Sequence, residues 1–287
     1  MSKSRLNHFE RQEVADPLRL QPRDIALLRD VAEFRFVNTE QVLALHMGSR
    51  RNLMERLSRL YHHGYLDRPS SQNSARLTSA HMVYSLGRKG AEQLSKDAEE
   101  REMVFRRVSE TERILPLMAH ALMISQFRVC LVAAAKERGI TITRFTQGYD
   151  LKELLRDVHG EKPFLIPDAF FTMEDKDDII NFFVEADQGT MTTERFVNKL
   201  KNYWEWRSDE RLKSKLRLAR FRVLTIAPSV GRSDSLRRAG KGGDPRGEGS
   251  LMFLFTSETQ YSLSDPQKVL ERIWKSPKDD TPHTILE

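Results

Sequence analysis

Asp168, Glu185 and Asp187 are the residues of this chain whose types and spacing could do chemistry. Asp168 follows Pro167 in one apolar, β-prone stretch, and Glu185-Ala186-Asp187 closes the next. Hard divalent cations take oxygen ligands, and carboxylates at the ends of consecutive strands can converge on one ion. A hard divalent cation is what such a set would take, with Asp168 and Glu185 as candidate metal ligands and Asp187 eligible to bind a second metal. The same residues admit a plainer reading, in which strand-end carboxylates accept backbone N–H groups or pair with nearby arginines.

For these carboxylates to meet, their surroundings must be strands. Residues 140–146 alternate and are rich in β-branched side chains, which predicts a strand; 164–171 reads as a second and 179–186 as a third, with a polar hairpin turn at 174–178. A long apolar helix over 116–138, ended by Gly139, comes before them. After them Thr190 can cap a helix with Glu194 in its first turn and Phe196, Val197, Leu200, Tyr203 and Trp204 along one face. Residues 222–227 and 251–256 read as further strands. The segment 229–250, rich in glycine, arginine and serine, reads as a loop that a partner would order, and the polar tail after Ser276 as fraying.

Helix, three strands, helix, strand, with "PDAFF" in the second strand and "EADQGT" closing the third, resembles the restriction-endonuclease-like PD-(D/E)XK fold. The resemblance implies that Asp168 and Glu185 hold magnesium. It also implies a lysine two residues after the glutamate, which supports the nucleophile and the developing charge. Asp187 stands at that position. Some members of that superfamily carry the lysine on the following helix; Lys199 fits such a migrated lysine, with Lys201 second. The candidate catalytic set is therefore Asp168, Glu185 and Lys199. Both lysines also fit solvent-facing positions on an amphipathic helix. With Asp187 where the lysine belongs, the sequence weighs toward a nuclease-like domain that binds rather than an enzyme that cuts.

The front third has a different pattern. Pro22 and Asp24 open a helix, Thr39 reads as the N-cap of a short second helix, and Ser49 caps a third with Leu53, Leu57, Leu60 and Tyr61 as its buried stripe. Gly64 ends it, and two β-prone stretches follow around a polar loop. "VNTEQVLALHMGSRRNLMERLSRLYHHGYLDR" resembles a winged helix-turn-helix. In such a module the third helix enters the major groove by its N-terminal end. Arg50, Arg51 and Asn52 would then read bases, since arginine suits guanine and asparagine adenine, while Arg59 and wing residue Arg76 would meet phosphates. Glu55 on the same face would repel phosphate, which keeps open a solvated face or a protein-binding winged helix. His46, His62 and His63 lack zinc spacing with any cysteine.

A net charge of +6 and a pI near 9.4 favour a polyanion only weakly, because scattered surface cations would give the same total. The lone Cys130 excludes an intrachain disulfide and reads as a buried, inert thiol of a reducing compartment. The polar start reads as no signal peptide, and no run is seen as long enough to span a bilayer, so a cytoplasmic protein without a membrane partner is expected.

The segments "LQPRDIALLRDVAEFRFVNTEQVLAL", "RLSRLYHHGYLDR", "VYSLGRKGAEQL", "PDAFF" and "FFVEADQGTMTTERFVNKLKNY" are together similar to the replication-relaxation family of plasmid and mobile-element proteins. That resemblance implies an accessory DNA-binding role, with double-stranded DNA as partner and a relaxase or replication protein, or a second copy of the chain, as further candidates. DNA binding itself would need no cofactor. The expected class is α+β: an arm at 1–19, a winged helix-turn-helix at 20–96, a charged helical linker at 97–115, a PD-(D/E)XK-like domain with a mixed central sheet at 116–275, and a flexible tail at 276–287. A metal-dependent endonuclease and a winged-helix transcriptional regulator are the competing functions.

Overall fold

The computed structural model describes residues 8–14, 16–46, 48–69, 72, 81–95, 115–160, 163–176 and 178–287. The expected linker at 97–115 therefore lies outside the described residues except for its last position, and so does Arg76. The chain forms two compact units, Met1–Ser125 and Gln126–Glu287, and is a mixed α+β protein.

In the first unit, α1 (Pro22–Phe34) begins with proline at a position whose N–H would be unpaired anyway. Asp24 accepts the Gln21 N–H at 2.6 Å, and Leu27, Leu28, Val31 and Phe34 form the buried stripe. Next come β1 (Val37–Asn38) and α2 (Thr39–Leu45). The cap of α2 is Asn38 rather than Thr39. Asn38 and Gln41 exchange side-chain-to-backbone bonds at 2.9 Å, satisfying two orphan donors where a lone threonine would satisfy one. Thr39 instead donates its hydroxyl to the Met82 carbonyl.

Helix α3 (Arg50–His62) buries Leu53, Leu57, Leu60 and Tyr61, as its spacing predicts. It ends at Gly64, whose φ of 81° lets the Tyr65 N–H return to the Leu60 carbonyl at 2.9 Å. Strands β2 (Leu66–Asp67) and β3 (Val83–Leu86) follow, with β3 central in an antiparallel β1-β3-β2 sheet, and then α4 (Arg88–Leu94).

The unit boundary falls within α5 (Leu115–Arg138). Over Met118–Arg138 this helix is long and apolar enough to cross a membrane by length and composition, contrary to the sequence expectation, and 61% of that window is buried in protein. Met118 and Leu122 pack with Phe36 and Val83 of the first unit. Phe127 packs against Phe171, Tyr261 and Trp274 of the second. Cys130 is fully buried, and burial pushes its thiol up to about 12, as expected of an inert cysteine.

The second unit is built on a seven-stranded mixed sheet whose strands lie side by side in chain order: β4 (Thr141–Gln147), β5 (Ala169–Asp175), β6 (Asp178–Ala186), β7 (Phe221–Ala227), β8 (Phe253–Ser257), β9 (Trp274–Lys275) and β10 (Pro282–His283). The first three are an antiparallel meander, β6-β7-β8 are parallel, and the last two pairings are antiparallel. Parallel neighbours need crossovers. These are α7 (Thr193–Trp206) with α8 (Glu210–Leu216), and then α9 (Val230–Ala239). Before them α6 (Gly148–His159) joins β4 to β5. Successive phenylalanines serve opposite faces: Phe171 stacks on Phe182, while Phe170 and Phe183 join Leu200, Tyr203 and Trp206 on the other face.

Several sequence expectations change here. The second strand starts at Ala169, so Asp168 precedes it, and α7 is capped by Thr192 rather than Thr190. Helix α6 is an element beyond the sequence expectation, with Leu151, Leu155 and Val158 buried at helical spacing. The expected loop 229–250 contains α9, a short 3₁₀ turn at Gly240–Gly243 and a buried Asp244. The expected fraying tail forms β10 and buries Ile285 completely.

Candidate active site and nucleic-acid interface

The register of β5 and β6 brings the carboxylates together. Asp168 donates its N–H to the Val184 carbonyl at 3.1 Å and accepts the Ala186 N–H on Oδ2 at 2.8 Å. Its side chain is thus anchored beside the end of β6, where Glu185 is 4% exposed. Glu185 lies on the same face of the sheet as α7. The helical spacing of Phe196, Leu200 and Tyr203 carries Lys199 to the edge of that packed face. Lys199 Nζ donates to Glu185 Oε2, and the Tyr203 hydroxyl donates to Oε1.

Burial pushes the Glu185 carboxyl up to about 7; Lys199 and Tyr203 oppose the shift and the charge of Asp168 adds to it. Burial also works against the Lys199 charge, yet Glu185 and Asp168 hold its pKa above the ordinary value. Burial and Glu185 keep the proton on Tyr203. The result is two neighbouring carboxylates, one of them desolvated, with an ammonium group bonded to it.

Asp187 does something else. Its Oδ2 accepts from Arg232 Nε at 2.7 Å and its Oδ1 from Arg232 Nη2 at 3.0 Å. Arg232 also donates to the Met191 carbonyl, and the Gly189 N–H donates to Asp187. The expectation of Asp187 as a metal ligand meets a bidentate ion pair, a geometry that engages both oxygens. Among the described residues no group of three or more His, Cys, Asp or Glu side chains is placed to hold a metal.

Sequence reasoning missed three members of this region. Arg232 was hidden in a supposed loop. Tyr203 is expected only as part of the helix face it shares with Phe196 and Leu200, though it stands four residues after Lys199 and so can reach the same carboxylate. Thr225 is registered against Glu185 on β7; it is 1% exposed, and its hydroxyl has no hydrogen-bond partner among the described residues. Lys201, the second candidate lysine, is exposed.

In the first unit Arg51, Asn52 and Arg59 lie exposed on α3. Asn52 and Arg59 line one groove with Arg23 and Glu55. Arg50 is bonded bidentately to Glu40, by Nη1 at 2.9 Å and Nη2 at 2.5 Å. Arg56 is held inward by the buried Asp24.

The family model described as replication-relaxation matches residues 28–217. The chain belongs to the replication-relaxation family. The match runs from α1 of the first unit to the end of α8, so Asp168, Glu185, Asp187 and Lys199 all lie within the replication-relaxation region, while Arg232 lies beyond it. Membership associates the chain with replication and relaxation of mobile elements. No curated protein and no solved structure matches it.

Proposed function

We propose that this protein is a DNA-binding factor of mobile-element replication and relaxation whose second unit carries a metal-dependent phosphodiester-cleaving site of Asp168, Glu185 and Lys199. The observation that carries this reading is the bond from Lys199 to Glu185, which supplies the cation that Asp187 cannot. The order α5, β4, α6, β5, β6, α7, α8, β7, with β4-β5-β6 antiparallel and β7 parallel to β6, further supports a nuclease-like unit into which α6 is inserted.

The donor set offers a hard cation two carboxylates, Asp168 raising the proton affinity of Glu185, and Thr225, registered against Glu185, whose hydroxyl has no partner among the described residues. Magnesium bound to Asp168 and Glu185 would stabilise charge on the scissile phosphate and lower the pKa of water. Lys199 contributes a fixed positive charge aimed at the same point, and Tyr203 orients Glu185 by holding its second oxygen.

The DNA-binding half rests on the first unit. Its order α1, β1, α2, α3, β2, β3 and its three-stranded sheet support a winged helix-turn-helix, with Arg51 and Asn52 toward bases and Arg59 toward phosphate. Arg50 would reach DNA by exchanging Glu40 for a guanine.

Incubation of supercoiled plasmid with the full chain and magnesium or manganese tests the proposal. Nicking that is lost in Glu185→Gln and Lys199→Met, with each variant folded by circular dichroism, is the expected result. Absence of cleavage on supercoiled, linear and single-stranded DNA with either metal overturns it. A second reading, a binder without catalysis, is favoured by the bond from Ala186 N–H to Asp168, which gives that carboxylate a structural use. It requires undiminished DNA affinity in Asp168→Ala and no cleavage.

A further inference from the structure

The end of the sheet remote from Glu185 holds a second cationic site. Strands β6 and β7 run parallel, with Asn181 registered against Phe221 at one end and Glu185 against Thr225 toward the other. At the Phe221 end a cavity of about 360 Å³ is lined by Arg207, Lys213, Arg220 and Arg222, with Glu287 the one acidic side chain among the described lining residues. Phe221 and Leu251 form part of its apolar wall. Leu251 is 38% exposed, an apolar side chain presented beside charge.

Cations outnumber carboxylates among the described residues of this wall. Lys213 is bonded to Glu210 at 2.8 Å, and Glu287 is committed to Arg272 and His283. Arg207 and Arg220 form no ion pair among the described residues. Arg207 lies over the Trp204 ring at 4.5 Å, and Arg222 donates to the Ile285 carbonyl at 3.1 Å. Burial, with Arg220 adding to it and Glu287 opposing it, holds the Arg222 guanidinium below its ordinary pKa. Like charges crowded on a partly dehydrated wall are relieved by an anion, and guanidinium groups suit phosphate oxygens in particular. The apolar wall beside them suits a flat, weakly polar body attached to that anion.

We propose that this cavity binds a nucleotide unit, its phosphate among Arg207, Arg220 and Arg222 and its base against the apolar wall, at a site separate from Asp168 and Glu185. A free nucleoside triphosphate and a single DNA strand present the same chemistry, and both serve as probes. The inference does not depend on cleavage by the carboxylate site or on DNA binding by α3.

Trp204 supplies the readout, because Trp206 and Trp274 are buried while Trp204 is partly exposed beside Arg207. Full-length protein is titrated with ATP in one arm and with a hexathymidylate oligonucleotide in the other. Quenching by at least one of them is expected, weakened roughly ten-fold by Arg220→Ala and by Arg207→Ala, the loss of one charge-assisted contact each. Arg88→Ala, at an exposed arginine of α4, should leave both titrations unchanged. Response to ATP alone identifies a free nucleotide, and response to the oligonucleotide alone a strand. No quenching by either probe, or quenching untouched by Arg220→Ala and Arg207→Ala, overturns the proposal. Arg220 is exposed, so its variant tests the site without burdening the fold.

Discussion

Lys199 and Glu185, fourteen residues apart in the chain, are joined by a bond between Nζ and Oε2 in the interior of the second unit. Their side chains are 19% and 5% exposed, so neither charge is well solvated without the other. A buried pair of this kind is costly to break by removing one partner, because the other is stranded.

Lys199→Met should therefore destabilise the protein by about 1–3 kcal/mol at alkaline pH, where Glu185 must carry its charge unaided. The double variant Lys199→Met/Glu185→Gln should recover part of the loss. Urea midpoints of the four proteins give the coupling, and a strictly additive result would argue against the pair.

The same carboxylate sets a pH dependence. Its folded pKa of about 7 lies above the ordinary 4.5, so its protonated form favours the fold. That contribution is complete below the ordinary value and is lost as pH rises through about 7. Metal binding has the opposite sign, since the ion requires ionised Glu185, and should strengthen over the same interval. Glu185→Gln should flatten the stability profile there. A profile identical to wild type would sink the assignment.

Arg232 and Asp187 make a distinct test. Arg232→Ala leaves a 4% exposed carboxylate unpaired and should cost about 3 kcal/mol. Asp187→Lys restores the lysine of the nuclease pattern in sequence, yet sets two cations against one another. It should lower the thermal midpoint and give no gain in nicking; a more active Asp187→Lys protein would contradict the role given to Lys199.

Thr225→Val removes a buried hydroxyl that has no partner among the described residues. Such a change should be neutral or stabilising by up to about 1 kcal/mol. If the hydroxyl belongs to the cleavage site, nicking falls while the melting temperature holds.

On α3 the two adjacent arginines should behave differently. Arg51→Ala is expected to weaken duplex binding about ten-fold and to relax base preference at one position, whereas Arg59→Ala should reduce the salt slope by roughly one. Arg50→Ala should weaken binding less than Arg51→Ala, because Glu40 already holds that guanidinium. Anisotropy of a labelled duplex over a salt series measures both, and equal losses would show that Glu40 releases Arg50 freely.

Periodicity and local chemistry carried much of this protein. The leucine stripe of α3, the glycine that ends it, the strand pair beside which Asp168 and Glu185 meet, and the inert Cys130 are consequences of short-range rules that operate within a few residues. Those rules also placed Lys199 on a helix after the second carboxylate. They faltered where a polar composition concealed burial. Residues 229–250 look like a solvated loop until β7 and β8 supply the sheet against which Leu236 of α9 is buried. The tail looks free until Ile285 finds a core.

What tertiary structure alone decided is which charge meets which. Asp187 and Lys199 were both eligible to complete the site, and the sequence could not choose between them. Packing did: α7 lays one face on the sheet and so turns Lys199 to Glu185, while α9 brings Arg232 to Asp187 from forty-five residues away. Sequence determines which side chains can be charged; the pairing of buried charges depends on long-range packing, because only there is water excluded and each charge left dependent on its neighbour.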